Sequence, residues 1–585
     1  MSARSVEGKR PSNEAESATI LSAVVGFAAE QPRLTQPVWL PPLPAAVSLA
    51  GTGASLDLTS TGPRLTQPQY LSPAVGILDD PARQWQGPWH LDLTARGGNI
   101  AIIGAPHSGK STALRTIAAS LALSHGVDDI NIYAVDLLGN ALAGLAGLPH
   151  CSGVAGRGNR ELLRRTIEEV QGLLNVRQSV FDHHKLDSLQ AMRALRSRGG
   201  LGELACTDAL LFIDGFGSLT SEFPELEEAV HDVMTRGSTL GVHVVVSLRS
   251  WAEVRMSRQS LLGTRIELHL ADPADSLDRR LATTLGANRP GRALTMDKTV
   301  GHFALPSLSP TPDRDNAGQE LAELGSVLRK YNALSAPPVR VLPTITRLSP
   351  DHRPIRGSIA LGIREHDADI DHLDLFGADR GAVVVGDPET GRTNLLRTAA
   401  SQLMASHGPG QLAFAVFDPR QQLQDFIPDE YLGEYASNGQ KAAQLADFVA
   451  GQVRDRLGDG SSAPVRTPKI VLLVDDYDIL AATGNQPLRA LASYLPSGAD
   501  VGLFAMVTSR TTGSGMMMHD SFIASLRAAG APVIMFSGDR SEGVIANGER
   551  PVPLPAGRAR ILRTSRPPVT VQTFYQDHEV VHHEL

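Results

Sequence analysis

The stretch Gly104–Thr112 constrains the fold of this chain more than any other part of the sequence. It reads Gly-Ala-Pro-His-Ser-Gly-Lys-Ser-Thr, which fits the phosphate-loop pattern of a glycine, four variable residues and Gly-Lys-Ser. An apolar run, Asn99–Ile103, precedes it, and the residues after it, Ser111–Leu123, have helix-forming composition. In a strand–loop–helix unit the loop N–H groups can surround a phosphate at the helix N-terminus. The sequence therefore predicts a nucleotide site formed by Gly104, Ala105, Pro106, His107, Ser108, Gly109, Lys110, Ser111 and Thr112.

The same pattern assigns chemical roles to individual side chains. Lys110 is predicted to reach the β- and γ-phosphates of ATP, and the Ser111 hydroxyl is predicted to bind Mg²⁺. Further along, the apolar run Ala209–Ile213 ends in Asp214, a carboxylate that would hold Mg²⁺ directly or through water. We therefore interpret Lys110 and Asp214 as the catalytic pair, and Ser111 and Asp214 as the Mg²⁺ ligands.

Short apolar runs alternate with helical segments in this part of the chain. The strand candidates are Ile100–Ile103, Ile132–Val135, Leu210–Ile213 and Val242–Val246, and one of the helices between them is predicted over Arg160–Phe181. Strands separated by helices predict an α/β fold with a mainly parallel sheet.

The chain contains this unit twice. Landmarks of the first unit recur in the same order, 282 residues later at first, 261 residues later further on and 266 residues later in the last pair. The matched pairs are Gly104 with Gly386, Asp136 with Asp418, Asp214 with Asp475, Gly241 with Gly502, and Gly291-Arg292-Ala293 with Gly557-Arg558-Ala559. The sequence therefore predicts two tandem P-loop NTPase domains with mainly parallel sheets flanked by helices.

Composition along the chain suggests where these domains begin and end. We expect an N-terminal tail and Pro-rich segment over residues 1–70, and a first ATPase domain over 71–310. A Pro-rich linker is expected over 311–345 and a second, degenerate domain over 346–585.

The second phosphate loop departs from the pattern. It reads Gly-Asp-Pro-Glu-Thr-Gly-Arg-Thr, so arginine replaces the lysine, and two carboxylates, Asp387 and Glu389, enter a loop meant for phosphate. Arginine keeps the charge but is bulkier and forked. The degenerate site comprises Gly386, Gly391, Arg392, Thr393, Asp475 and Asp476, and the residues leave open whether it binds nucleotide.

Neither copy has a glutamate after its Mg²⁺-binding aspartate. The first copy has Gly215 there and the second has Asp476. A glutamate in this position orients the attacking water in related translocases, so we expect weak hydrolysis at both sites. Arg249 and Arg510 follow the next strand and would contact phosphate, a neighbouring subunit or only solvent. Arg292 and Arg558 are candidates for an arginine supplied to a neighbour or for a structural turn.

Composition excludes several other classes of protein. The net charge is −8 and the pI about 6.1, so a general nucleic-acid binder is not expected. No run reaches the roughly 18 apolar residues of a membrane helix. The closest case, Ala18–Ala29, is predicted to be a short docking helix, and the chain is expected to be cytoplasmic.

Several motifs together resemble a known family. The phosphate loop, Asp214 and Gly241–Ser247 are similar to FtsK/SpoIIIE-type motor ATPases, whose domains are FtsK/RecA-like. The tandem arrangement and four further segments resemble the EccC ATPases of type VII (ESX) secretion, specifically the soluble partner subunit of a split EccC. Those segments are Trp39–Pro44, Leu148-Pro-His150, Asn288–Arg292 and Ala336–Pro343.

This resemblance implies a function and a set of partners. A membrane-anchored EccC-type partner would carry the N-terminal ATPase domain and recruit this chain to the inner-membrane secretion complex. The last ATPase domain would bind the C-terminal tail of a secreted helical-hairpin heterodimer, ATP and Mg²⁺ would be the cofactors, and the assembly would be a hexameric ring without nucleic acid. Two alternatives stay open: an FtsK-like DNA translocase, and a receptor that binds ATP without hydrolysing it.

Overall fold

The structure is a computed structural model that describes residues 19–30, 40–60, 62–458, 468–482, 486–564 and 566–577. Two compact units make up the chain, Met1–Val339 and Arg340–Leu585. Trp39, part of one of the segments behind the family resemblance, lies outside the described residues, as does most of the predicted N-terminal tail. No helix in the described part of the chain combines the length and apolar character needed to span a bilayer.

The described residues of the first unit form a ten-stranded sheet and a separate hairpin. The strands are β1 (Leu56–Thr59), β2 (Gly62–Leu65), β3 (Ala74–Asp80), β4 (Trp85–His90), β5 (Ile100–Ile103), β6 (Ile130–Asp136), β7 (Cys151–Gly156), β8 (Asp208–Asp214), β9 (Val242–Leu248), β10 (Thr264–Glu267), β11 (Arg292–Leu294) and β12 (Val300–Phe303). The sheet order is β4-β3-β12-β11-β10-β5-β9-β8-β6-β7, and the run from β10 to β7 is parallel.

Helices cover both faces of this sheet. The helices of the first unit are α1 (Ile20–Glu30), α2 (Lys110–Ser124), α3 (Arg160–His184), α4 (Leu189–Ser197), α5 (Phe216–Glu222), α6 (Pro224–Arg236), α7 (Arg279–Leu285) and α8 (Ala317–Tyr331). Helix α1 buries none of its residues and is not one of those that cover the sheet. Apolar residues of α2 pack on one face, and those of α3 and α6 pack on the other. The predicted short helix near the N-terminus is α1, and its apolar side chains are exposed.

The second unit repeats the architecture of the first. Its strands are β13 (Ser358–Arg364), β14 (Ile370–Asp374), β15 (Gly381–Val385), β16 (Leu412–Phe417), β17 (Leu432–Ala436), β18 (Lys469–Val474), β19 (Leu503–Ser509), β20 (Val533–Met535), β21 (Arg558–Leu562) and β22 (Val569–Thr573). The order β14-β13-β22-β21-β20-β15-β19-β18-β16-β17 matches the first sheet strand for strand. The helices are α9 (Arg392–Ser406), α10 (Gly439–Gly458), α11 (Tyr477–Ala481), α12 (Arg489–Ala492), α13 (Gly498–Val501), α14 (Ser514–Met517) and α15 (Ser521–Ala528).

The predicted fold class is confirmed: both units are mainly parallel sheets flanked by helices. The central strands β5, β8 and β9 are buried along their whole length, which explains why they read as continuous apolar runs in the sequence. Their carboxyl ends carry Gly104, Asp214 and Ser247 to one edge of the sheet.

The segment predicted as a linker, 311–345, contains helix α8. Leu321, Leu324 and Leu328 lie one or two turns apart on α8 and are buried in the core of the first unit. Gly325, on the same face, lets the helix approach the backbone of Gly147 closely. The apolar spacing of α8 thus attaches most of this segment to the first unit.

An arginine anchors the entry of each unit in the same way. Arg292 donates through Nη2 to the carbonyl oxygens of Leu43 and Pro44, the latter at 3.1 Å. Arg558 is fully buried and donates through Nη2 to the carbonyl oxygens of Leu342 and Pro343, at 3.2 and 3.4 Å. Of the two roles considered for these arginines, the contacts support the structural one, because each guanidinium is held by backbone of its own unit.

Candidate functional site

The first phosphate loop runs from the end of β5 to the start of α2. Gly109 has φ 106°, and a Cβ there would lie 2.9 Å from the Gly291 nitrogen. A Cβ on Gly104 would lie 2.4 Å from the Ser108 hydroxyl oxygen. Both glycines are therefore required by space, and at Gly109 also by backbone conformation. The loop leads into the N-terminus of α2, where backbone N–H groups favour an anion.

Lys110 is the first residue of α2 and is buried. Its Nζ donates to the carbonyl oxygens of Gly104 and Ala105, at 2.8 and 2.9 Å. Burial lowers the pKa of the Lys110 ammonium, and the negative charge of Asp214 partly opposes this. The ammonium is thus held over the loop by neutral carbonyls. A phosphate bound in the loop would offer it a stronger, charge-assisted hydrogen bond.

Asp214 ends strand β8 and is fully buried. The Ser247 hydroxyl donates to Asp214 Oδ1 at 2.5 Å and accepts a hydrogen bond from the Gly215 N–H at 2.8 Å. Burial raises the pKa of the Asp214 carboxyl, and the Ser111 and Ser247 hydroxyls oppose the rise. Oδ2 is buried and accepts no hydrogen bond of normal geometry, although the Ser111 hydroxyl acts on the carboxylate, so this oxygen keeps acceptor capacity for a cation.

The loop opens into a cavity of about 500 Å³. Besides loop residues, it is lined by Ala46, Leu138, Arg249, Pro290, Gly291, His302, Phe303, Leu305 and Arg314. Burial, followed by the positive charges of Arg292 and Arg314, lowers the pKa of His302 to about 4, so the imidazole is neutral at pH 7. Of this wall, sequence reasoning had named Arg249 and the segment Asn288–Arg292, and it missed the other residues.

The two arginines that follow strands β9 and β19, Arg249 and Arg510, differ in their surroundings. Arg249 lines the cavity, and its N–H donates to Glu253 Oε2 at 3.0 Å. Arg510 donates through its N–H to Asp478 Oδ1 at 3.2 Å, and its Nε lies 3.4 Å from Asp478 Oδ2. Arg249 thus faces the candidate site, whereas Arg510 is paired within its own unit.

The second phosphate loop has the same backbone course with different contacts. Gly391 has φ 116°, close to its counterpart Gly109, and α9 follows. The Thr393 hydroxyl donates to Asp475 Oδ2 at 2.8 Å, and the Thr508 hydroxyl donates to Asp475 Oδ1 at 2.5 Å. Both oxygens of this buried carboxylate therefore accept a hydrogen bond, whereas in Asp214 only Oδ1 does.

Arg392 does not lie over its loop in the way Lys110 does. Its Nη1 lies 2.9 Å from Asp476 Oδ1, and the Nε of Arg420 lies 2.8 Å from Asp476 Oδ2. Arg392 and Asp476 are both buried. The structure thus brings together all the predicted residues of the second site, but as a closed ion-pair cluster.

Comparison with known proteins agrees with this geometry. The model of the FtsK/SpoIIIE family matches residues 78–308. The ESX-4 secretion system protein EccC4 of Mycobacterium tuberculosis is 35% identical over 562 residues, covering 93% of this chain and 43% of that protein. The ESX-1 secretion system protein EccCb1 of Mycolicibacterium smegmatis is 31% identical, covering 91% of this chain and 92% of that protein.

Two solved structures have the same architecture. The cytoplasmic domain of the Thermomonospora curvata type VII secretion ATPase EccC superposes with a TM-score of 0.74 at 31% identity, covering 95% of this chain and 66% of that one. ATPases 2 and 3 of T. curvata EccC, in complex with a signal sequence peptide, superpose with a TM-score of 0.72 at 31% identity, covering 92% of this chain and 100% of that one. The chain spans less than half the length of EccC4 and nearly all of EccCb1. It belongs to the EccC family of ESX secretion proteins, and its first unit carries an FtsK/SpoIIIE domain.

Proposed function

We propose that this chain is an ATP-binding subunit of an ESX secretion system that holds the C-terminal tail of a small helical-hairpin substrate. In this proposal ATP and Mg²⁺ bind at the first phosphate loop, and the tail binds along the open edge of the second sheet. The chain couples the substrate to a membrane-anchored partner ATPase of the EccC type, at the inner membrane, within a hexameric ring.

The observation that carries the proposal lies in the first unit, where a segment of the chain itself, residues 336–339, runs along the edge strand of the sheet. The N–H of Ala336 donates to the carbonyl oxygen of Pro149 at 2.7 Å, and that of Val339 donates to the carbonyl oxygen of Ser152 at 2.9 Å. The Val339 side chain is buried in the core cluster that contains Tyr133 and residues of α3. An extended segment thus occupies the end of the first sheet, beside β7, as in β-augmentation.

Among the described residues, no segment pairs with the outer side of the matched edge in the second unit, and a hollow lies beside it. Strand β17 ends the second sheet, and beside it lies a small cavity of about 90 Å³ lined by Ala413, Phe414, Ala415, Gly433, Glu434, Leu445, Phe448, Val449, Gln452, Arg456, Pro468 and Ile470. Ala415, which stands where the first unit has Tyr133, lines this hollow with a smaller side chain.

The helix beside this hollow presents an apolar side chain to solvent. Phe448 on α10 is 59% exposed, and its counterpart on α3 is the charged residue Glu169. Arg177 on α3 and Arg456 on α10 fix this match, since each donates to a backbone carbonyl just before the next central strand, that of Leu240 before β9 and that of Val501 before β19. A partly exposed phenylalanine over a hollow is the anchor that an apolar residue of an incoming peptide needs.

The relative that was solved with a peptide supports peptide binding by a pair of domains of this kind. It is the T. curvata protein whose ATPases 2 and 3 form a complex with a signal sequence peptide, and those two domains match this chain over 92% of its length. We extend peptide binding from that protein to this one and place it at β17 and α10.

At the first unit, the residues fit the cofactors. Lys110 would neutralise phosphate charge, and Ser111 with Asp214 would hold Mg²⁺, which supplies positive charge to the phosphate oxygens. The fit rests on the unpartnered, buried Oδ2 of Asp214 and on the glycine positions that keep the loop open. With Gly215 beside Asp214, the chain lacks a carboxylate at the usual place for activating water, and ATP would act mainly on assembly.

The peptide part is tested by photo-crosslinking on the full chain. Benzoylphenylalanine is introduced in place of Phe448 and, as the matched control, in place of Glu169. The probe is a synthetic peptide of the C-terminal tail of a small helical-hairpin protein from the same genome. We expect crosslinking from position 448 and little from position 169, and Phe448→Glu should weaken binding at least tenfold. Equal crosslinking from both positions, or unchanged affinity of Phe448→Glu, would remove the assignment to β17.

A further inference from the structure

Three positions that differ between the two units touch one another in the second. Lys110, Leu138 and Gly215 of the first unit correspond to Arg392, Arg420 and Asp476 of the second. They come from different elements: the start of the helix after the phosphate loop, the residue two positions after a strand-ending aspartate, and the residue after the Mg²⁺-position aspartate. In the second unit they form one cluster, with Asp476 between the two arginines.

The geometry of this cluster is that of a buried ion pair with an outer partner. The side chains of Arg392 and Asp476 are only 9% and 6% exposed, and the outer Arg420 is 46% exposed. Asp476 has φ 46°, a left-handed conformation that aspartate tolerates. One carboxylate oxygen faces each guanidinium, so the negative charge of Asp476 sits where Arg392 reaches it from the loop.

The first unit has an open arrangement at the same three positions. Lys110 and Leu138 line the cavity, and Gly215 has no side chain. A Cβ on Gly215 would lie 2.7 Å from Leu138, so a side chain there requires a different neighbour at position 138. The replacement of Leu138 by Arg420 in the second unit supplies one. The three differences are therefore coupled by packing and by charge.

The rest of the second loop points in the same direction. Asp387 and Glu389 stand at the positions of Ala105 and His107, within the loop that would surround a phosphate. Two carboxylates there repel a polyphosphate, and Arg392 is already neutralised by Asp476.

We infer that Arg392, Asp476 and Arg420 form a latch that takes the place of nucleotide in the second unit, so that nucleotide binding is confined to the first. This inference rests on the proposed ATP site at Lys110 and goes beyond it by fixing the stoichiometry at one nucleotide per chain. It also implies that the peptide edge at β17 works in a unit whose phosphate loop is permanently closed. Tail binding to the second unit would then be independent of ATP in that unit.

Titration calorimetry of the full chain with Mg²⁺ and ATP separates the two claims. We expect one nucleotide per chain for the wild type and none for Lys110→Ala. No binding to the wild type would overturn the ATP site itself. A second equivalent in the wild type would overturn the latch and leave the first site standing. One equivalent retained in Lys110→Ala, where the wild type also binds one, would overturn both claims, because the nucleotide would then bind without Lys110.

The direct test replaces the latch residues of the second unit with those of the first. It is made in the Lys110→Ala background, so that the first site does not contribute to binding. The unlatched variant carries Arg392→Lys, Arg420→Leu, Asp476→Gly, Asp387→Ala and Glu389→His, and the control carries only the last two changes. We expect the unlatched variant to bind one ATP at least tenfold more tightly than the control. Equal binding by the two variants would overturn the latch, because the loop carboxylates would then account for any gain.

A reciprocal variant keeps the inference testable if the unlatched chain does not fold. Gly215→Asp alone should lower the melting temperature, because it buries an unpaired carboxylate. Lys110→Arg with Leu138→Arg and Gly215→Asp should recover most of that loss, since the carboxylate gains both guanidinium partners. A triple variant no more stable than Gly215→Asp would show that the cluster does not form as a unit and would overturn the latch.

Discussion

At the scale of single residues, the two buried strand-end aspartates show how one fold can prepare a cation site or close it. Asp214 has one oxygen bonded by the Ser247 hydroxyl, and its other oxygen lacks a hydrogen-bond partner. Asp475 has a threonine hydroxyl on each oxygen. Burial raises the pKa of both carboxyls. Only Asp214 keeps an unused acceptor, which makes it costly to the apo fold and available to a metal.

Asp214→Asn should separate the cost of burying this charge in the nucleotide-free protein from its contribution to metal binding. An Asp214 pKa raised by burial means that its contribution to stability falls as pH rises above the unfolded value, so at pH 7 the charge is unfavourable in the folded state. We expect the Asn variant to melt at the same temperature as the wild type or higher without nucleotide. The rise in melting temperature with Mg²⁺ and ATP should shrink to a small fraction, because the metal loses its anionic ligand. A variant several degrees less stable without nucleotide would contradict this reading.

At the scale of elements, the sequence predicted the parts of each unit that are buried on both faces. The runs Ile100–Ile103 and Leu210–Ile213 are observed as β5 and most of β8, because fully buried parallel strands leave a continuous apolar signal. The antiparallel strands β3, β4 and β12 are only partly buried and gave no such signal. Glycine spacing located the phosphate loop. The cavity wall that contains His302 is built from segments that are distant in sequence and are brought together by the sheet, so the spacing of residues could not predict it.

The predicted linker gives the element-scale prediction. If α8 did not pack on the first unit, Gly325→Ala would be neutral or stabilising, since alanine is favoured over glycine within a helix by about 1 kcal/mol. In α8 a Cβ at this position would lie 2.6 Å from the Gly147 carbonyl oxygen, so we expect a loss of about 1–3 kcal/mol from overpacking. Ser326→Ala, on the exposed side of the same helix, is the control and should not destabilise. Chemical denaturation of the full chain measures the free energy of unfolding of both variants. Equal stability of the two would contradict the close packing of α8 on the first unit.

At the scale of the whole molecule, each unit has cores of its own, so the chain should unfold in more than one transition. Buried histidines distinguish the units. In the first, burial lowers the pKa of His150 to about 4, and His125, whose carbonyl oxygen lies 3.0 Å from His150 Nε2, is lowered as well. In the second, His372 and His407 are lowered by burial too, but neither is fully enclosed.

We expect acid to destabilise the first unit more than the second. A buried neutral histidine contributes full stability above its unfolded pKa near 6.5, and that stability is lost as pH falls towards the folded pKa of about 4. For His150 the loss amounts to about 3 kcal/mol by pH 4. Calorimetric melts between pH 7 and pH 4 should show one transition moving down faster, and it should be the transition that Mg²⁺ and ATP move up at pH 7. His150→Gln keeps a donor for the His125 carbonyl but cannot protonate, so it should reduce the pH dependence of that transition, and the remainder should come from His125 and His302, whose pKa values burial also lowers. An unchanged slope in His150→Gln would place the acid sensitivity elsewhere in the molecule.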